Sequence, residues 1–381
     1  MKAVIVVLAL ALAGCGASPG TSASGDASPS VASSPSAATS LDVSKVPPGR
    51  IAYMRVDPDK VERYFTVDSD GRNEHSLFET QGCACIRWSA DGSQIWTVTE
   101  TETALAYTTQ DPDGGDRVVH VPAIPTLSLA PGFGSADGRH VAFFGWDDTD
   151  PTRSGVWTAN TDLTDLHQVT PVPDGVLGID PIGMSANGSH IYFHGDLGEN
   201  TDNGFHHAGN VYVIAADGTG LRQLNPEGTK TEITGTGLSA DGRRFAFTAW
   251  RVGHGPDGNA LFIVDGVDGE AVQVTEFGDR WGASWSPNGE WIGYSASAND
   301  AALISLIKPD GTGATAVTPK DLSEDITMPA WSPDGSHLLV RRGERQSNDL
   351  WIIDLEGTFV WQVTHKPAAY DIYAWAPAPT G

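Results

Sequence analysis

Cysteine, methionine and positive charge are all scarce in this 381-residue chain, which has 3 Cys, 4 Met, and 23 Lys and Arg against 48 Asp and Glu. Three thiols exclude a disulfide scaffold. A formal charge of −25 repels phosphate backbones and anionic headgroups, which excludes nucleic-acid binding and electrostatic docking on lipid. Long hydrophobic runs are missing too: the apolar stretch from Ala3 to Ala13 is too short to cross a bilayer as a helix. What is abundant belongs to turns and strands, with 44 Gly, 24 Pro and 12 Trp. That composition points to an all-β protein of many short strands.

The apolar stretch follows Lys2 and ends in Leu12-Ala13-Gly14-Cys15, the arrangement of a secretion signal. Its last four residues resemble a bacterial lipobox, which implies cleavage after residue 14 and lipidation of Cys15. From Cys15 to Val46 the chain is almost wholly Ala, Ser, Pro, Thr and Gly, with too little apolar surface to offset the entropy of ordering. Residues 15–46 therefore read as a lipidated cysteine and a disordered tether, and residues 47–381 as the folded body. The expected location is the extracytoplasmic face of the cell membrane, with the lipid anchor as the only membrane contact.

Within the body one turn recurs: Ser89-Ala90-Asp91-Gly92, Ser135-Ala136-Asp137-Gly138, Ser185-Ala186-Asn187-Gly188, Ser239-Ala240-Asp241-Gly242, Ser286-Pro287-Asn288-Gly289 and Ser332-Pro333-Asp334-Gly335. Asp-Gly and Asn-Gly between strand-like residues mark hairpins. Each turn precedes an apolar strand, then an aromatic or branched one such as Val211-Tyr212-Val213, then a third ending like Gln273-Val274-Thr275. A unit of about four strands repeating every 44 to 54 residues is the pattern of a β-propeller. Six turns are present, yet Arg50-Ile51-Ala52-Tyr53 matches the strand after a turn without having one. The strand missing there is found at the far end, in Ile372-Tyr373-Ala374-Trp375. The sequence thus predicts a seven-bladed β-propeller closed by pairing of the C-terminal strand with the first blade; six blades with an N-terminal appendage is the alternative.

The Trp-Ser-Pro-Asp-Gly turn, as in Trp331 to Gly335, and the Gln-x-Thr endings resemble the TolB-like, WD-like (PD40-type) propeller family, also found as the propeller half of prolyl oligopeptidases. The resemblance covers residues 49 to 377 and implies a fold rather than an activity, since these motifs are turn and packing devices. It departs from the pattern where Gly134, Met184 and Leu238 stand in place of the Trp.

Chemistry is expected on the face carrying the longer loops. His194, His206 and His207 fall on one inserted segment with several carboxylates and are the candidate ligands for calcium or another divalent cation, although no fixed metal spacing is present. Glu232, Asp279, Asp325 and Asp371 precede matching strands and are expected near the mouth of the channel, where carboxylates suit a cation or a basic segment. Arg251, Arg341, Arg342 and Arg345 are the candidate anion-binding residues. Cys83 and Cys85 are close enough for a local disulfide in an oxidising compartment. No Gly-x-Ser-x-Gly elbow falls within the folded body, residues 47–381, and no catalytic constellation stands out. These features predict a monomeric binding or scaffold module for a protein, peptide or envelope ligand, needing no cofactor; the alternative is a metal-dependent hydrolase or lyase on the same face. For the anchor the expected outcome is specific: Cys15→Ser abolishes the lipid mass on the mature protein and moves it from the membrane pellet to the soluble fraction.

Overall fold

The computed structural model describes residues 41–377, apart from positions 58, 81–85, 131, 174–175, 177, 201–206, 232–236, 254–257, 299–300, 319–325, 345–346 and 367. It is an all-β propeller of antiparallel strands arranged in six sheets. Five are discrete blades. Four of these have four strands each, and the fifth, which centres on His140–Trp146, has five. The sixth sheet is continuous over nine strands.

That sheet corrects the expected blade number. Neither seven nor six separate blades form, because the strands from Gly178–Met184 to Val272–Gln273, which the repeat divides in two, are joined. The joint is the short strand Thr229–Thr231, in the connection between the two repeats. It pairs on one side with His207–Ala215 at Gly209, and on the other with Arg244–Arg251 at three positions. A connection that hydrogen-bonds on both edges satisfies its own backbone groups and erases the boundary between its neighbours. Five discrete blades and one nine-stranded sheet result.

The recurrent turn is built the same way each time. In Ser89 to Gln94, the Ser89 hydroxyl donates to Asp91 and accepts from the Gln94 N–H, while the Asp91 carboxylate accepts from the Ser93 N–H. The Gly92 N–H closes the turn on the Ser89 carbonyl, with the glycine at φ +70°. A side chain is strained in that left-handed region, which is why each of these turns ends in glycine. The same bonds recur at Ser239-Asp241 and Ser332-Asp334, and with Asn at Ser286-Asn288.

The strand before the turn explains the tryptophan. Trp285 donates its indole N–H to the Gly237 carbonyl at 3.0 Å, Trp331 to Ser284 at 3.0 Å and Trp88 to Ala374 at 3.2 Å. In each case the acceptor lies on the corresponding strand of the preceding repeat, so the indole staples neighbours while its ring fills the space between them. Gly134 does without the staple because Trp96 fills its place: a Cβ on Gly134 would fall 2.6 Å from that ring.

The core is accordingly a series of clusters between adjacent sheets. One of them joins the two ends of the chain. Ile51, Tyr53, Phe65 and Val67 of the first sheet pack on Leu339, Leu350, Ile352 and Val360 of the last, with Tyr370 and Trp375 between. The C-terminal strand Ala369–Trp375 pairs with Arg50–Val56, from Val56 opposite Ala369 to Ile51 opposite Trp375. The body also takes in the short helix Val43–Lys45, since the Asp42 N–H donates to the Val360 carbonyl and Val46 packs on the same cluster.

Trp375 is only 6% exposed at this junction. Its replacement by Ala is expected to lower unfolding stability by about 3 to 5 kcal/mol, the cost of emptying a large aromatic site in a core. Val121→Ala, at a residue 61% exposed, is expected to change it by less than about 0.5 kcal/mol. Denaturant unfolding of the two variants measures the contrast.

Candidate functional site

Strand order divides the surface into two ends. The Ser-Asp-Gly turns and the turns between third and fourth strands lie at one end; the connections between second and third strands and between repeats lie at the other. The first end is acidic for a structural reason. The Thr164, Thr219 and Thr312 hydroxyls donate to Asp162, Asp217 and Asp310 and hold these carboxylates below their ordinary range. Ser89 and Ser239 do the same for Asp91 and Asp241. These acids fasten turns.

A cavity of about 240 Å³ opens at this turn end between His140, Asn160, His167, Asn187 and Ser189. Most of its polar groups are engaged in the seam between two sheets. Asn160 donates to Thr164, Asn187 accepts from Ser185 and Ser189, and the His167 ring lies between the carbonyls of Asp165 and Ala216. At the loop end a smaller cleft is bordered by the guanidinium of Arg251.

The residues predicted from sequence for the loop end separate. Cys15, Cys83, Cys85, His206, Glu232, Asp325 and Arg345 lie outside the described residues. His207 and Asp371 fall in strands, opposite Asn200 and Met54. His194 is not on a loop. The segment expected to be irregular continues the strand His190–Asn200, pairing across to His207 with one register shift. Within it His194 is 1% exposed, directs Nε2 at the Thr231 carbonyl at 3.3 Å, and lies so close to Gly209 that a Cβ there would fall 2.5 Å from the ring. Its imidazole packs the joint between strands. Among the described residues no three His, Cys, Asp or Glu side chains are grouped to hold a metal ion.

The arginines also diverge. Arg341 and Arg342 are consecutive in the strand His337–Glu344 and so point to opposite faces of the sheet. Arg342 lies over two rings, 4.4 Å from the centre of Phe359 and 5.1 Å from that of Trp351, a packed cation–π contact. Arg251 belongs to the nine-stranded sheet and ends the strand Arg244–Arg251 with its side chain exposed.

Arg251 borders a cleft of about 130 Å³ with Gly258, Phe277 and Gly278. Its guanidinium lies 4.2 Å from the centre of the Phe277 ring, which is itself packed edge-on to Phe262. The Gly278 N–H donates to the Asn259 carbonyl at 3.0 Å and draws the two loops together. Arg280 backs Gly278 so closely that a Cβ would lie 2.4 Å from its Nη1, which donates to the Glu276 carbonyl at 2.8 Å. Asp279 is exposed beside this cleft, and its carbonyl accepts from the Ser297 N–H. Sequence reasoning found Arg251 and Asp279 but missed Phe277 and Arg280. The available signal was an aromatic residue and an Arg straddling a Gly in the connection just after Gln273-Val274-Thr275.

Two ionic clamps hold neighbouring loops at the same end. Asp147 is wholly buried, accepting from Thr126 Oγ1 at 2.7 Å, Thr149 Oγ1 at 2.6 Å, the Thr149 N–H at 2.9 Å and Arg153 at 2.5 Å. Those donors, led by the Thr149 hydroxyl, hold its carboxyl well below the usual range. In the first sheet Arg63 bridges Asp57 and Asp59, while Arg55 binds Asp57 through two nitrogens. The hydrogen bonds from Arg63 keep Asp59 down to about 2.

No family model matches the sequence, and no curated protein matches it significantly. Solved structures do share the fold. TolB from Acinetobacter baumannii is 18% identical with a TM-score of 0.54, the match covering 86% of this chain and 67% of that one. Oligogalacturonate lyase from Vibrio parahaemolyticus is 11% identical with a TM-score of 0.59, over 84% of this chain and 94% of that one. A puromycin hydrolase is 17% identical with a TM-score of 0.55, over 75% of this chain; the match spans only 47% of the hydrolase's length. Identities this low establish architecture alone, and the architecture they share with this chain is the TolB-like β-propeller.

Proposed function

We propose that the chain is a lipid-anchored, extracytoplasmic β-propeller that serves as a monomeric binding or scaffold module for a protein or peptide of the cell envelope. The observation that carries this reading is the state of the polar groups at the loop end. Asp147 and Asp59 are held by Thr and Arg side chains well below the range a proton-transfer group needs at neutral pH, and Asp57 is hydrogen-bonded to Arg55 and Arg63. They fix loop shape, and fixed loops around a small cleft suit recognition. The Leu12-Ala13-Gly14-Cys15 run and the Ala/Ser/Pro-rich segment behind it supply the anchor and a spacer of roughly 30 Å reach. The other reading, a metal-dependent hydrolase or lyase, draws support only from the fold it shares with the lyase structure.

Two experiments decide. Crosslinking the purified chain in envelope extract is expected to recover a defined protein or peptide partner in molar proportion. Incubation with oligogalacturonate and Mn²⁺ is expected to produce no unsaturated product; product formation would establish the enzyme instead. The clamp makes a separate prediction. A depressed carboxyl stabilises the fold fully above its unfolded value of about 3.9, and loses that contribution as pH falls toward the folded one. Asp147→Asn should therefore lower the Tm at pH 7, with the difference from the parent shrinking below about pH 4.

A further inference from the structure

The described arginines divide into those paired with a carboxylate and those, such as Arg87, Arg222, Arg244, Arg251 and Arg280, held by carbonyls or aromatic rings instead. Arg50, Arg55, Arg63, Arg72, Arg153 and Arg243 all have ion-pair partners. Arg251 and Arg280, on either side of Phe277 and Gly278, have none among the described residues. Arg251 is oriented by the Phe277 ring at 4.2 Å, and Arg280 by the Glu276 carbonyl at 2.8 Å. Both are therefore positioned by groups that leave guanidinium N–H donors unused, since a planar guanidinium carries five. Gly258 and Gly278 line the cleft beside Arg251 without side chains of their own.

We propose that this cleft binds a side-chain or C-terminal carboxylate of an acidic peptide, with Arg251 as the principal contact and Phe277 as the residue that positions it. The proposal rests on the binding-module reading and names the chemistry of its ligand. A guanidinium held by stacking is preorganised for two parallel bonds to a carboxylate, so less side-chain entropy is lost on binding. The size of the cleft, about 130 Å³, suits one side-chain terminus. A sugar ring would need an open aromatic face, and the face of Phe277 is already covered by Arg251. Glu276 and Asp279, exposed neighbours in the chain of Phe277 and Gly278, add to the negative field of the whole protein, so an acidic ligand is held by short contacts to Arg251 against that field.

The test is titration of the full chain with an N-blocked triglutamate peptide, a triglutamine counterpart blocked at both ends so that it has no carboxylate, and trigalacturonate. Triglutamate should bind and triglutamine should not. Arg251→Ala should weaken triglutamate binding by about tenfold or more, the loss of one charge-assisted pair. Phe277→Leu, which keeps the charge and frees the guanidinium, should weaken it by a smaller factor, and Arg251→Lys should restore part of the loss. Equal binding of the two peptides, or an Arg251→Ala variant that binds triglutamate as the parent does, would overturn the proposal. Arg251-dependent binding of trigalacturonate in preference to the peptide would overturn the peptide assignment. If Arg251→Ala still crosslinks to its partner in envelope extract while triglutamate fails to bind, the cleft is refuted and the binding-module reading stands.

Discussion

The two ends of the folded body must meet, and the remaining structure depends on that meeting. A chain of sheets laid side by side leaves one unsatisfied strand edge and one bare apolar face at each terminus. Here the C-terminal strand supplies the innermost strand of the first sheet, pairing Ile51 with Trp375 and Val56 with Ala369. The hydrophobic cluster behind it draws residues from positions 51 to 67 and 339 to 375. Local turns can form without this junction, but the seam at which Trp88 reaches Ala374 cannot.

Seen from that constraint, the acidity has two sources. Many aspartates are components of turns, each accepting from a hydroxyl or N–H two residues away, and recur because the turn recurs. Others are partners of the arginines that brace loops. The overall charge thus says little about any ligand. The informative place is the cleft where an exposed guanidinium, that of Arg251, is held by the Phe277 ring rather than by a carboxylate.

Much of the fold was legible because its devices are local. Ser332-Pro333-Asp334-Gly335 contains every atom of its own turn, and Trp331 announces the strand before it. Blade number was not legible, because it hinged on Thr229–Thr231, a three-residue stretch whose pairing depends on strands twenty residues away on each side. The same limit applied to the site. Arg341 and Arg342 look clustered along the chain, yet strand geometry sends neighbours to opposite faces, and Arg342 is absorbed by Trp351 and Phe359. His194 looked like a loop ligand because its polar surroundings hid a continuing strand. The Arg251 cleft was half visible, since the partners of that arginine come from a connection some 25 residues later whose proximity is set by tertiary pairing.

The bridging strand has a mechanical consequence. Elsewhere neighbouring sheets touch through side chains and isolated bonds, so one can loosen while its neighbour stays intact. Between Gly178 and Gln273 a continuous ladder runs across the boundary. That stretch should open as one cooperative unit, its central amides exchanging with solvent together. Arg251 stands opposite Thr229 on this ladder, so force applied to the cleft is transmitted to two repeats at once.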